Sequence, residues 1–274
     1  MQGEGVSGAG PSARPQARRR FGQNFLTDAG AIGRIVAALA PGPADNVLEI
    51  GPGRGALTEA LLAAVPRIAA VEIDRDLASL LRARYSLERL RLIESDVLDV
   101  SLRDLAHPTP LVIAGNLPYN ISKPVAMKLV MERHAVSRAV LMFQREVALR
   151  LTAAPSTRDY GPLTVLTGRA FRIERLFDLP PGAFHPRPSV VSTVTRWTPR
   201  EDGALPDALV EPLKAVLRAA FCRRRQTLQK NLRVALGGDA AAASLLAGAG
   251  LDGTLRAEAV PPQGFVALAR GWPV

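Results

Sequence analysis

Asn116, Pro118 and Tyr119 follow directly on the apolar run LVIA at 111–114, within the segment GNLPYNIS at 115–122. The run reads as a buried strand, so the segment sits at a strand's C-terminal mouth. Open α/β sheets bind their ligands at that edge. An amide carbonyl held still beside a proline accepts hydrogen bonds from an exocyclic amine. The neighbouring tyrosine gives a flat base a ring to stack on. The combination suits methyl transfer to the amino group of adenine.

Two upstream segments add a second ligand to this picture. EIGPGRGALT at 49–58 places Gly51, Gly53 and Gly55 between a strand and a helix. Such a turn lets the backbone bend sharply and approach a nucleotide-like cofactor. Its spacing is not the G-x-G-x-x-G of dinucleotide folds, where the third glycine falls one residue later. The next strand ends in Glu72, where an acid can accept hydrogen bonds from both ribose hydroxyls. The third strand leads to Asp96, which can accept from an adenine amine. A glycine turn, a ribose acid and an adenine acid at three successive strand ends describe a pocket for S-adenosylmethionine.

The elements that must position these residues alternate. Strands are expected at NVLEI 46–50, RIAAVEI 67–73, RLRLIES 89–95, LVIAGN 111–116 and SRAVLMF 137–143. Helical spacing fills 55–65, 75–85, 123–133 and 144–151 between and after them. Strand–helix alternation at this interval implies a parallel, doubly wound sheet. RAFRIERLFDL at 169–179 and SVVSTVTRW at 189–197 then alternate like an antiparallel pair. After the polar loop 198–207 only helical patterns remain. The expected organisation is a basic arm over 1–20, an α/β domain over 21–200 and a helical domain over 201–274.

The composition is that of a basic protein with a real core. The 274 residues are 47% hydrophobic and carry a net charge of +10, with a pI near 10.8. Such a balance favours a polyanionic partner. The single cysteine, Cys222, excludes an internal disulfide and a cysteine metal cluster. His107, His134 and His185 are scattered, so no metal site is expected. No stretch approaches the ~20 apolar residues of a membrane span. A cytoplasmic protein with no membrane partner is expected. Residues 1–20 end in Arg18, Arg19 and Arg20 and bury too little apolar surface to order themselves.

The chain resembles the ribosomal RNA adenine dimethyltransferases of the KsgA type. The resemblance runs through FGQNFL at 21–26, EIGPGRGALT, VEID at 71–74, SDVL at 95–98 and GNLPYNIS. It continues through FQREVALRL at 143–151, YGPLTV at 160–165, FHPRPSVVS at 184–192, FCRRRQTLQKNL at 221–232 and RAEAVPPQGFVAL at 256–268. It implies a Rossmann-like methyltransferase domain followed by a small helical domain. It also implies that Asn24 and Leu26 close over the methionine end of S-adenosylmethionine. Gly51 would lie beneath the cofactor, Glu72 would take the ribose and Asp96 the adenine, with Asn116 facing the methyl group. Tyr119 and Phe184 would sandwich the target base, Phe184 from an exposed position in the proline-flanked loop PPGAFHPRP. The implied substrate is 16S ribosomal RNA in the immature small subunit, at two adjacent adenosines near its 3′ end. A monomer with a role in subunit biogenesis is expected.

The residues themselves suggest how the reaction would run. The adenine amino nitrogen is a poor nucleophile, because its lone pair is delocalised into the ring. Hydrogen bonds from its two protons to the Asn116 side-chain carbonyl and the Leu117 backbone carbonyl would draw it towards tetrahedral geometry. Positioning and electrostatic preorganisation then carry the rate, with no metal or strong base needed. The stretch 211–235 reads as one helix with an apolar face and a basic face. Arg223, Arg224 and Arg225 on it would contact RNA phosphates, although three consecutive arginines cannot share one face and at least one of them would be free to pair with an acid. Three other functions compete. A large-subunit methyltransferase shares N-x-P-Y but not the quoted glycine turn and arginine segment. A nicotinamide oxidoreductase would need other glycine spacing. A non-catalytic assembly factor would keep subunit binding in an active-site mutant.

Overall fold

A computed structural model describes residues 23–201 and 205–273 of the chain. The basic arm expected over 1–20 lies outside the described residues. A two-residue strand, β1 (Phe25–Leu26), leads into α1 (Ala29–Leu39), which Asp28 caps by accepting from the Ala31 amide at 2.9 Å. The alternating pattern then runs as expected. It comprises β2 (Asn46–Ile50), α2 (Ala56–Ala64), β3 (Ile68–Glu72), α3 (Arg75–Arg84) and β4 (Leu90–Glu94). The short α4 (Leu102–Leu105) precedes β5 (Leu111–Asn116), α5 (Ser122–Met131), β6 (Val136–Gln144) and α6 (Arg145–Leu151).

α7 (Pro162–Ala170) leads into β7 (Phe171–Leu179), the two-residue β8 (Phe184–His185) and β9 (Ser192–Pro199). Seven strands form one sheet in the order β4-β3-β2-β5-β6-β9-β7. The first five are parallel. β9 inserts between β6 and β7 and runs antiparallel to both, as the alternation at 169–179 and 189–197 implied. Chain order reverses between β2 and β5, which puts the crevice for a ligand at the carboxyl ends of those two strands.

Both faces of the central strands are covered, and β5 in particular is apolar along most of its length. Successive side chains of β5 alternate between the two cores. Leu111 and Ile113 join Val125 and Leu129 of α5 on one face. Val112 and Ala114 join Ile35 and Leu39 of α1 and Leu61 of α2 on the other.

The C-terminal helices are α8 (Val210–Ala220), α9 (Leu228–Leu236), α10 (Asp239–Gly248) and α11 (Pro262–Arg270). Their core contains Leu213, Leu217, Leu232 and Phe265, but also Tyr160, Val165 and Leu166 from before the boundary expected at 200. The Tyr160 hydroxyl donates to the Val260 carbonyl at 2.8 Å within it. α7 therefore packs with the helical layer although the chain places it before the last sheet strands.

The single helix expected over 211–235 is two helices. Asn231 donates from Nδ2 to the carbonyls of Ala220 and Arg223 at 2.7 and 3.1 Å, closing the end of α8. Thr227 caps α9 by accepting from the Lys230 amide. Arg223, Arg224 and Arg225 consequently occupy a turn, not a helix face.

Candidate active site

The cavity at the switch point is built from four strand ends and one N-terminal segment. Gly51 continues β2 with φ +68°, and Gly53 and Gly55 also take positive φ, where side chains are strained. A Cβ on Gly51 would stand 3.7 Å from the Asn116 carbonyl oxygen, in the gap between the β2 and β5 loops. Gly115 permits a closer approach still: a Cβ there would lie 2.9 Å from the Ile50 carbonyl oxygen.

Glu72 ends β3 and is buried, 5% exposed. Its Oε2 accepts from the Gly53 amide at 3.0 Å and its Oε1 from the Asp74 amide at 2.9 Å. The carboxylate thus staples the glycine turn to the neighbouring strand. Burial pushes its pKa up, and the two backbone hydrogen bonds oppose that rise. Each carboxylate oxygen has a second lone pair, so Glu72 can still accept from a ligand on the cavity side. Asp96 also lines the cavity, with its Oδ1 accepting from the Leu98 amide at 2.9 Å.

Asn116 ends β5. Its Nδ2 donates to the Asn24 carbonyl at 2.8 Å. That bond turns the amide so that Oδ1 is on the other branch, away from the Asn24 carbonyl. Asn24, Gly51, Glu72, Asp96, Asn116, Leu117 and Tyr119 all line one cavity. The Leu117 side chain points into the core at 1% exposure, which leaves its backbone to the site. Tyr119 is half-buried, and its hydroxyl meets Ser192.

Two expected residues lie elsewhere. Phe184 is not exposed: it is 3% exposed and packs with Leu179 and Val194. β8 pairs antiparallel with β1, setting Phe184 opposite Leu26, and this pairing turns both side chains into the core. Leu26 is 5% exposed and does not line the cavity; its neighbour Phe25 does. The Phe25 ring lies under the Arg54 guanidinium at 4.5 Å, and a Cβ on Gly53 would fall 2.9 Å from it. Gln23 donates to Asp74 Oδ2 at 3.0 Å. The segment 23–25 is therefore latched at Asp74 and at Asn116. FGQNFL and VEID both signal this region, but nothing in either says that Gln23 and Asp74 join.

Arg223, Arg224 and Arg225 do not line this cavity and are all exposed. Arg224 is the one that pairs: it donates to the carbonyls of Arg158 and Tyr160, each at 3.0 Å, and lies 3.8 Å from Glu258. Among the described residues no group of three or more His, Cys, Asp or Glu could hold a metal ion. None of the described helices is long and apolar enough to cross a membrane.

Two solved structures set the class. Dimethyladenosine transferase from Plasmodium falciparum matches with a TM-score of 0.75 at 25% identity, over 89% of this chain and 95% of that one. The 23S rRNA methyltransferase ErmE matches with a TM-score of 0.67 at 27% identity, over 91% and 99%. The chain is a Rossmann-like, S-adenosylmethionine-dependent methyltransferase. Its sequence narrows the class. Residues 14–269 match the family model described as ribosomal RNA adenine dimethylase. Ribosomal RNA small subunit methyltransferase A of Laribacter hongkongensis is 44% identical over 252 residues, 92% of this chain and 94% of that one. The protein of the same name from Bordetella petrii is 43% identical over 256 residues, 93% and 95%. The chain belongs to the ribosomal RNA adenine dimethylase family.

Proposed function

We propose that the chain methylates the exocyclic amines of two adjacent adenosines near the 3′ end of 16S ribosomal RNA, giving dimethyladenosines. The choice of the small subunit is supported by relatives named for it at 43–44% identity. On the same reading it acts as a monomer in the cytoplasm, on immature small subunits, and contributes to their biogenesis. The observation that carries the chemistry is the Asn116 amide, whose Nδ2 is taken by the Asn24 carbonyl. Its Oδ1 is thereby preset as an acceptor.

The pocket fits S-adenosylmethionine. Gly51 leaves room beneath it, Glu72 offers an acceptor to ribose hydroxyls, Asp96 one to the adenine amine, and Asn24 lies on the segment above. Bound there, the cofactor supplies an electrophilic methyl group. Asn116 Oδ1 and the Leu117 carbonyl would accept hydrogen bonds from the N–H groups of the target amine and draw its lone pair out of the ring. Each methyl gained leaves S-adenosylhomocysteine behind and releases one proton from the nitrogen to solvent. Tyr119 offers the base a stacking surface, worth roughly 1–3 kcal/mol, which offsets part of the cost of extruding it from its stack. Arg223 and Arg225 provide exposed charge for phosphates. Incubation with labelled S-adenosylmethionine and unmethylated small subunits, followed by mapping of labelled bases, tests the reading. Label on paired adenosines near the 3′ end of 16S RNA is expected. Label confined to large-subunit RNA or to DNA refutes it.

A further inference from the structure

The hydroxyls of Tyr119 and Ser192 share a hydrogen bond of 2.8 Å. The two ends of that bond are held very differently. Ser192 is 0% exposed and opens β9. Its backbone is paired on both sides, with Gln144 of β6 and with Leu179 of β7. The residue before it is also fixed, since the Val191 carbonyl accepts from the Arg145 amide at 2.9 Å. Tyr119 instead begins a single turn of 3₁₀ helix, outside the sheet, after Pro118.

The direction of a tyrosine ring depends on two side-chain torsions, and the second is broad and weakly held. A bond at the phenolic end pins the far end of the ring, and so the first torsion. The phenolic oxygen lies on the axis of the second, which the bond touches only through the preference of the O–H for the ring plane. Burial raises the phenol's pKa, so the group stays neutral and able to share its proton with Ser192. The ring meanwhile lines the cavity beside Asn116. Phe184 lies in the core, and Phe25, which also lines the cavity, belongs to the N-terminal segment; Tyr119 is the ring next along the chain from Asn116 and Leu117, where the target base would lie.

We propose that Ser192 is a positioning residue: its hydroxyl fixes where the Tyr119 ring lies in the cavity, and through it the placement of the target adenine against Asn116. This rests on the reading of Tyr119 as the stacking surface. Neither end of the bond lies in the C-terminal helices that carry the exposed arginines, so its effect is on base placement and not on RNA affinity at large.

The test removes the bond from either end. Ser192→Ala and Tyr119→Phe should each lower turnover on unmethylated small subunits by about three- to tenfold, the worth of one hydrogen bond. The double variant should be no slower than either single variant, because both remove the same interaction. Affinity for S-adenosylmethionine should be unchanged. With 2-aminopurine at the target position of a short RNA, both single variants should show weaker fluorescence quenching than the wild type, reporting looser stacking. Tyr119→Phe keeps the ring and leaves the buried Ser192 site untouched, so it answers the question even where Ser192→Ala folds poorly. Wild-type turnover and quenching in Tyr119→Phe, with both reduced in Tyr119→Ala, overturns the role of the bond alone. Wild-type behaviour in Tyr119→Ala overturns the stacking role of Tyr119 and the inference with it. Multiplying effects in the double variant also overturn it.

Discussion

Glu49 lies on β2, two residues before Gly51, and is 1% exposed. Its Oε2 accepts from Thr58 Oγ1 of α2 at 2.6 Å. Burial raises its pKa from an ordinary value of 4.5 to about 8; the Thr58 hydrogen bond opposes that rise and the charge of Glu72 adds to it. The folded chain therefore holds a proton that the unfolded chain has lost throughout the interval between those two values. Stability from this group is full below about pH 4.5 and falls as the pH rises towards about 8. Each unit costs about 1.4 kcal/mol, so the whole window amounts to roughly 5 kcal/mol. That is a large share of the 5–15 kcal/mol typical of a domain. Glu49→Gln keeps the volume and an acceptor for Thr58 but has no proton to lose. Denaturant unfolding of both proteins, at matched pH values from about 4 to about 9, yields the difference in unfolding free energy with other titrations cancelled. That difference should move in the variant's favour by about 1.4 kcal/mol per unit up to about pH 8 and then level off. A difference independent of pH refutes the argument, because it means that Glu49 is as acidic in the folded chain as in the unfolded one.

Asn116→Ala should lower turnover by about 10²–10³ while leaving S-adenosylmethionine affinity within a few-fold, by kinetics and titration calorimetry; near-normal turnover would show that Asn116 is not the catalytic amide. Phe184→Ala should act as a core truncation, costing about 3–5 kcal/mol in denaturant unfolding; slower turnover at unchanged stability would return that ring to the base site. Reversing charge at Arg223 and Arg225 should weaken RNA binding without altering cofactor affinity. The log–log salt slope should flatten by about 0.7–0.9 for each phosphate no longer neutralised. An unchanged slope would mean that the turn is merely solvated.

The centre of the sheet was legible because its strands are buried on both faces. LVIA at 111–114 is a continuous apolar run, and a strand covered on one face alone would have mixed polar residues into it. The site was legible for a related reason: Gly51, Glu72, Asp96 and Asn116 each mark a strand's end, and a parallel sheet brings all such ends to one edge. α7 was hidden by its content. PLTVLTGRA mixes two threonines and a glycine into its nine residues, none of them favoured in a helix interior. The break after α8 was hidden by its continuity, since apolar residues recur at helical spacing on both sides of it. The only local sign was Thr227, a good cap followed by a helix-forming run.

Which aromatic ring faces the ligand is a different kind of question, and local pattern could not answer it. Phe25, Leu26 and Phe184 are all apolar residues in short segments flanked by turns. Their fates separate only because β1 pairs with β8 from far along the chain, with Leu26 opposite Phe184. In a strand adjacent side chains point to opposite sides. Once Leu26 is committed to the core beside Phe184, Phe25 must face the other way, and that way is the cavity. The same segment carries Gln23 to Asp74 and Asn24 to Asn116. The pairing that removed Phe184 from the site thus brings the N-terminal segment over it. Asn116 owes its orientation to that segment, so the direction of its side-chain carbonyl depends on a strand of two residues.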